Sequence, residues 1–267
     1  MSVRKEVLSA LRNRAKEGII PLSKRGGREA EEHLVVGRDE YEQARGAVLE
    51  HQLSRFYNVA IFGSARLDED SKEFKFVSEL AKSLVEARDV DIMTGGGPGI
   101  MKAAIIGAYQ AIAEAQVNGK RLKSRRHGIR INDLPIEEKA GEHLSFSSTH
   151  NEFSTRLQEF IDRSQAAYNA PGGIGTLLEQ LILVQSRQVG HLEPEYILMA
   201  HSFWEPVVES WNNAFYYNRI AQDETPLITE ADLHIIRFSD NIPDIVDHIS
   251  QGYDQWKTLR EQVRVIE

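Results

Sequence analysis

The stretch Ala170-Pro171-Gly172-Gly173-Ile174-Gly175-Thr176-Leu177-Leu178-Glu179 constrains the chain more than any other. The apolar run Ala166-Ala167-Tyr168 leads into it, and a run with helical spacing from Leu177 to Val189 leads out. That order reads as strand, tight glycine turn and helix start. Gly172, Gly173 and Gly175 have no Cβ, so the backbone here can approach a ligand closely. The N–H groups at a helix start favour an anion, and Thr176 adds a hydroxyl donor. Glu179 follows Thr176 by three residues, about one helical turn, so both can face one ligand. The same spacing also fits a capping box of Thr176 and Glu179.

A second stretch repeats the design. Met93-Thr94-Gly95-Gly96-Gly97-Pro98-Gly99-Ile100-Met101-Lys102 is a short apolar strand, then glycines, then a helix. Two such loops in one α/β chain can wall one nucleotide-phosphate pocket. Neither run fits the dinucleotide spacing GxGxxG, and the chain holds no GxxxxGK[ST]. Nicotinamide cofactors and P-loop nucleotide hydrolysis are therefore set aside.

The first clear strand is Asn58-Val59-Ala60-Ile61-Phe62, a continuous apolar run that suits a parallel strand covered on both faces. Gly63-Ser64-Ala65-Arg66 turns off its C-terminal end, the edge where open α/β sheets hold ligands. Gly63, Ser64 and Arg66 are candidate phosphate or ribose contacts; a surface salt bridge serves Arg66 equally well. Helical spacing covers Phe74–Ala87 and Ile100–Val117, and strands are expected at Val90–Thr94, Gly128–Ile131, Leu144–Phe146, Tyr196–Met199 and His234–Phe238. Ser148, Thr149 and Asn151 are capping types, so a helix is expected from about Ser147 to Ser164, with Phe153, Leu157, Phe160 and Ile161 as its apolar stripe. Helices are also expected at Trp204–Asn218 and Ile242–Leu259. The stripe Trp211, Phe215 and Tyr216 reads as packing or a subunit contact rather than a base-stacking platform.

Strands alternating with helices predict a Rossmann-like, doubly wound α/β fold: a mostly parallel sheet with helices on both faces. Residues 56–267 form this domain, and residues 1–55 read as a helical N-terminal extension. A chain of 267 residues suits one such domain with an extension.

Three pieces, Phe62-Gly63-Ser64-Ala65-Arg66, the run GGGPGIMKAA from Gly95, and PGGIGTLLE from Pro171, together carry a family resemblance. So does Arg156, fifteen positions before Pro171. The chain resembles the LOG family of Rossmann-like nucleotide hydrolases, which includes cytokinin-activating phosphoribohydrolases and bacterial nucleotide 5′-monophosphate nucleosidases. Relatives of this kind were long labelled lysine decarboxylases. The resemblance runs from about Tyr57 to Ile249. It implies hydrolysis of the N-glycosidic bond of a nucleoside 5′-monophosphate, with Glu179 and Arg156 as catalytic residues. It also implies substrate and phosphate contacts at Gly63, Ser64, Gly95, Gly96, Gly97, Gly172, Gly173, Gly175 and Thr176. A homodimer or higher homo-oligomer is implied too, and a non-catalytic nucleotide sensor or carrier on the same fold is the alternative. Around Arg156 the chain has Phe153-Ser154-Thr155-Arg156-Leu157, where shorter relatives typically have Met-His-Glu-Arg-Lys; histidine stands earlier, at His150.

Composition narrows the function classes further. No run of eighteen apolar residues is present, and the N-terminus lacks an uninterrupted apolar segment, so neither a membrane span nor a secretory signal is expected. A net charge of −8 argues against general nucleic-acid binding. The basic run Gly119–Arg130 is a solvated loop or an anion-steering patch. Zero cysteines exclude disulfides, thiolate catalysis and cysteine-held zinc, and fit a cytoplasmic protein. No histidine–carboxylate clustering marks a metal site, no cofactor is expected, and nothing marks the lysine that a pyridoxal phosphate decarboxylase needs.

Overall fold

A computed structural model describes residues 56–132, 143–192 and 196–264. The chain divides into two units, Ser54–Asp254 and a second made of Met1–Leu53 with Gln255–Glu267. The first holds the sheet and the candidate site. Of the second, residues 255–264 are described, as the last turns of a helix in which the Arg260 guanidinium lies 4.9 Å from the centre of the Trp256 ring. The expected helical extension over 1–55 lies outside the described residues.

Seven strands form one sheet: β1 (Asn58–Phe62), β2 (Asp91–Thr94), β3 (Arg126–Ile131), β4 (Phe146–His150), β5 (Ala166–Asn169), β6 (Ile197–Ala200) and β7 (Arg237–Phe238). Their order is β4-β3-β2-β1-β5-β6-β7, and every pairing is parallel. The Rossmann-like α/β architecture is therefore as expected. All residues of β1, β2 and β5 are buried, which is why their apolar runs are continuous. The crossovers are α1 (Lys72–Arg88), α2 (Ile100–Val117), α3 (Phe153–Arg163) and α4 (Ile174–Gln188). On one face, Ala60, Phe62, Met93, Ile129, Ala167 and Leu198 of the sheet pack with Phe160 and Ile161 of α3 and Leu183 of α4. Burial of this apolar surface is the main driving force for docking those helices, at about 25 cal/mol per Å².

The chain runs outward from β1 to β4, then returns to place β5 on the other side of β1. That reversal opens a crevice at the C-terminal ends of β1 and β5. Since all strands are parallel, the turns after β1, β2 and β5 share one sheet edge. Gly96 and Gly173 are thus on the same edge.

Five expectations need correction. The segment Phe146–His150 is a strand, not the start of a helix; α3 begins at Phe153 after an N-cap at Glu152 whose side chain makes no capping bond. The sequence FSSTH carries cap-type residues, but β4 is the sheet's outer strand, largely exposed, and pairing with β3 from His127↔Phe146 to Ile131↔His150 decides its conformation. Helix α4 starts at Ile174, so the glycine turn already belongs to its first turn. Between Trp204 and Asn218 the helix is interrupted: α5 (Glu205–Asn212), a π turn (Asn213–Tyr217) and α6 (Asn218–Ala221) follow in series, while β7 has two residues and His234 ends a 3₁₀ turn. The closing helix, α7 (Ile242–Arg264), runs longer than expected.

The inner face of α4 carries Thr176, Gln180 and Leu183. Gln180 is fully buried, and neither its Oε1 nor its Nε2 has a hydrogen-bond partner among the described residues. A buried polar group left unpaired costs about 1–3 kcal/mol. Gln180→Leu, close in volume and apolar, is therefore expected to raise stability by about 1–3 kcal/mol in denaturant unfolding. A loss of stability instead shows that the amide is paired through buried water.

Candidate active site

The turn after β1 joins the two glycine loops. Ser64 N–H donates to Pro171 O (3.0 Å), and Ser64 O accepts from Ile100 N–H (3.0 Å). Ser64 Oγ accepts from Arg66 N–H at 3.1 Å, so the hydroxyl shapes its own turn, and Arg66 is exposed. At Gly63 a side chain would collide with Ile100. The PGG loop has a second anchor: the buried indole of Trp204 donates from Nε1 to Ala170 O (3.1 Å).

The two glycine loops, alike in sequence, do different work. Before α2, Gly95, Gly96, Gly97 and Gly99 are all buried, and the N–H of Ile100 is already taken by Ser64. Gly96 sits at φ 72°, against Gly128 and the Arg130 stem. A Cβ on Gly95 would lie 2.6 Å from one terminal nitrogen of Arg156 and 2.7 Å from Met101 Sδ, so this glycine makes room for the guanidinium. Before α4 the opposite holds. Gly173, Ile174 and Gly175 are exposed, no side chain caps the helix, and nothing lies within 4 Å of a Cβ built on Gly173 or Gly175. Thr176 is buried and folds back against Gly172. Of the two loops, the second offers an open helix start to an anion.

Arg156 and Glu179 meet beside it. Arg156 Nη1 lies 2.9 Å from Glu179 Oε1, with the two side chains 11% and 12% exposed. Arg156 Nε–H donates to Ile129 O at the end of β3 (2.9 Å), and its guanidinium lies 5.1 Å from the centre of the Phe160 ring. The guanidinium is thus oriented by α3, β3, α4 and the space at Gly95. The capping box of Thr176 and Glu179 does not form: Gly173 is the N-cap, Thr176 lies within the helix, and Glu179 faces Arg156.

The basic run is mostly elsewhere. Arg125 Nε donates to the buried Asp91 (2.7 Å) at the start of β2, and Lys123 and Ser124 N–H groups donate to Asp89. These groups belong to the N-terminal edge of the sheet, opposite the glycine loops. Arg130, near the other end of β3, reaches the site edge beside Gly96.

Sequence reasoning missed Trp204 as a loop anchor and missed a polar cluster behind Arg156. Glu159 on α3 takes a hydrogen bond from His150 Nε2 (2.5 Å) and another from Arg163 Nε (2.7 Å), and His127 Nε2 lies 3.7 Å away. His127 also meets Ser148 Oγ at 3.1 Å and stacks on Phe146. The signal available was His150 and Glu159 flanking Arg156, but nothing in the sequence shows that β4 brings them together.

A family profile described as "Possible lysine decarboxylase" matches residues 101–249. The chain belongs to this family. The match takes in α3, the PGG loop and α4, and so both Arg156 and Glu179. One relative is a probable cytokinin riboside 5′-monophosphate phosphoribohydrolase, LOGL2, of Oryza sativa subsp. japonica, 26% identical over 217 residues and matched across 79% of each chain. Another, the probable cytokinin riboside 5′-monophosphate phosphoribohydrolase LOG6 of Arabidopsis thaliana, is 27% identical over 171 residues, 63% of this chain and 79% of the relative. Among solved structures, a molybdenum cofactor binding protein from Rippkaea orientalis superposes with a TM-score of 0.51 at 14% identity, covering 74% of this chain and 97% of that one. At that identity the likeness establishes the fold.

Burial pulls His127 down to about 4, the first cause of the shift, with Glu159 opposing it. The ring is therefore neutral in the fold at pH values where an unfolded histidine, near 6.5, takes a proton. Unfolding then binds a proton, so stability falls as pH drops from about 6.5 to about 4, by at most about 1.4 kcal/mol per pH unit from this group. His127→Gln does not titrate and is expected to flatten the pH–stability curve in that window. An unchanged slope assigns the acid sensitivity to other groups.

Proposed function

We propose that the chain hydrolyses the N-glycosidic bond of a nucleoside 5′-monophosphate, releasing free base and ribose 5-phosphate. The observation that carries this reading is the 2.9 Å Arg156–Glu179 ion pair beside the open start of α4. The names of the relatives, phosphoribohydrolases acting on cytokinin riboside 5′-monophosphate, support the same class of substrate.

In this reading the 5′-phosphate rests on the backbone of Gly172, Gly173 and Gly175 and on the Thr176 hydroxyl. Gly63, Ser64, Gly95, Gly96 and Gly97 close the other wall. The bond from C1′ to the base nitrogen breaks with its electron pair going to the base, and positive charge develops on the sugar. Water adds to C1′, its proton passes to the Glu179 carboxylate, and the base nitrogen takes a proton from solvent. A carboxylate facing the developing cation is the device that glycoside hydrolases use. Arg156 holds the anionic substrate and assists departure of the base, its planar guanidinium presenting several donors in a fixed fork. Lysine decarboxylation, the label of the family profile, has less support here: among the described residues no lysine is buried, and Lys102 at the mouth of α2 pairs with Glu69 at 2.5 Å. The reading includes a cytoplasmic setting and a homo-oligomer. Exposed Ile174, Leu178 and Leu181 form an apolar stripe along α4 that suits a subunit contact.

The test is release of free base from a panel of nucleoside monophosphates. Glu179→Gln is expected to lower turnover by about 10²-fold or more, the size of acid–base catalysis, with nucleotide affinity level or improved. Arg156→Ala is expected to lose both turnover and affinity. Thr176→Ala is expected to weaken phosphate-bearing ligands more than nucleosides. Full activity in Glu179→Gln removes the mechanism. No release by the wild type on any common base, with binding retained in calorimetry, makes the protein a nucleotide binder.

A further inference from the structure

The first two turns of α3 carry Arg156 but bury little. Phe153 is 52% exposed, Ser154 and Thr155 are exposed, and the buried residues of the helix, Phe160 and Ile161, lie at its far end. Glu152 makes no side-chain cap. Apolar packing holds the far end of the helix, and polar contacts supplement it at these turns.

One side chain spans them. His150 ends β4, and its ring reaches across a turn of α3: Nδ1 lies 3.1 Å from Thr155 Oγ1, and Nε2 lies 2.5 Å from Glu159 Oε2. Thr155 Oγ1 also donates to Glu152 O (3.1 Å), tying the helix start to the same group. Thr155 and Glu159 are four residues apart, on one side of the helix, and Arg156 follows Thr155 directly in sequence, about 100° further round. The Arg156 Nε–H bond to Ile129 O anchors the helix to β3, the strand that pairs with β4. Glu159 is in turn steadied by Arg163. The guanidinium sits where β3, β4 and α3 jointly put it.

We propose that His150 is a positioning residue for Arg156: its imidazole fastens the first two turns of α3 to β4 and so holds the guanidinium against Glu179. The effect on turnover rests on the hydrolase reading; the effect on Arg156 geometry does not. Displacing a positioned group by about 1 Å is enough to cost on the order of 10²-fold in rate.

The experiment compares wild type, His150→Ala and His150→Gln by three measurements. The first is the Arg156 Nε–H signal in ¹⁵N NMR, assigned by its loss in Arg156→Lys, and its exchange with solvent. The second is kcat and KM for base release from the nucleoside monophosphate that the wild type turns over fastest. The third is the thermal midpoint. For His150→Ala the Arg156 Nε–H is expected to exchange about tenfold faster or more, as a locally opened contact does. Its kcat is expected to fall by about 10–100-fold and its KM to rise, because Arg156 serves both the transition state and the bound anion. His150→Gln, which keeps a donor toward Glu159, is expected to recover part of both at an unchanged midpoint. An Arg156 signal in His150→Ala identical to wild type overturns the proposal. Where His150→Ala unfolds, Thr155→Ala and His150→Gln each remove part of the brace, and unperturbed Arg156 signals in both overturn it equally. A wild type that releases no base overturns the hydrolase reading alone, and the Arg156 signal then decides the positioning by itself.

Discussion

The ion pair between Arg156 and Glu179 is the contact around which this site is arranged. Both side chains are almost withdrawn from water, at 11% and 12% exposure. Removing two charges from water costs several kcal/mol for each, and their mutual attraction often no more than offsets it. Stability alone therefore gives little reason to place such a pair between α3 and α4. The surroundings are built to keep it. Gly95 leaves space for the guanidinium, Ile129 O takes its Nε–H, and the glycine turn before α4 brings Glu179 round one turn past Thr176. A side chain at Gly95 would push Arg156 away, although Gly95 makes no hydrogen bond to it.

The parallel sheet and the two glycine loops were legible in the sequence because burial on both faces writes a strand as an unbroken apolar run. β1, β2 and β5 are of that kind, and their C-terminal turns had to share an edge once all strands ran parallel. β4 was not legible. Its residues FSSTH are what a helix start would use, and only the ladder to β3 makes them a strand. Arg156 stood out through its distance to the glycine loop in related sequences, not through its own surroundings. Its support by His150 and Glu159 depends on β4 and was hidden for the same reason that β4 was. Trp204 stands in the sequence only as the start of an expected helix, yet its indole N–H holds the carbonyl that precedes Pro171. Single hydrogen bonds across the fold leave no periodic trace.

The likeness of the two glycine stretches also concealed a division of labour. Before α2 the glycines are structural: the loop is buried, its helix start is tied to Ser64, and its missing side chains make space for arginine side chains. Before α4, Gly173 and Gly175 are exposed and no side chain caps the helix, which is the arrangement that leaves backbone N–H groups for a ligand. The basic run follows the same logic. Arg125 is spent on Asp91 at the far edge of the sheet, and Arg130 stands beside Gly96. Charge counted along the sequence does not say which edge of a parallel sheet it will occupy.

A carboxylate close to an anion-binding helix start appears self-defeating, since Glu179 would repel a phosphate. The ion pair removes the conflict. Arg156 and Glu179 together carry no net charge, so an anion approaching the N-terminus of α4 meets the helix dipole and a paired carboxylate rather than a bare negative charge. If positive charge develops on a sugar held there, as proposed, the same carboxylate gains a cationic neighbour that the ground state lacks. Stabilisation that appears with the transition state and not before it is what raises a rate. In the proposed reaction Arg156 has two consequences at once: it would admit the anion, and it would keep Glu179 placed until the cation forms. On that proposal the orientation of one helix, α3, matters as much to the chemistry as the glycine turn itself.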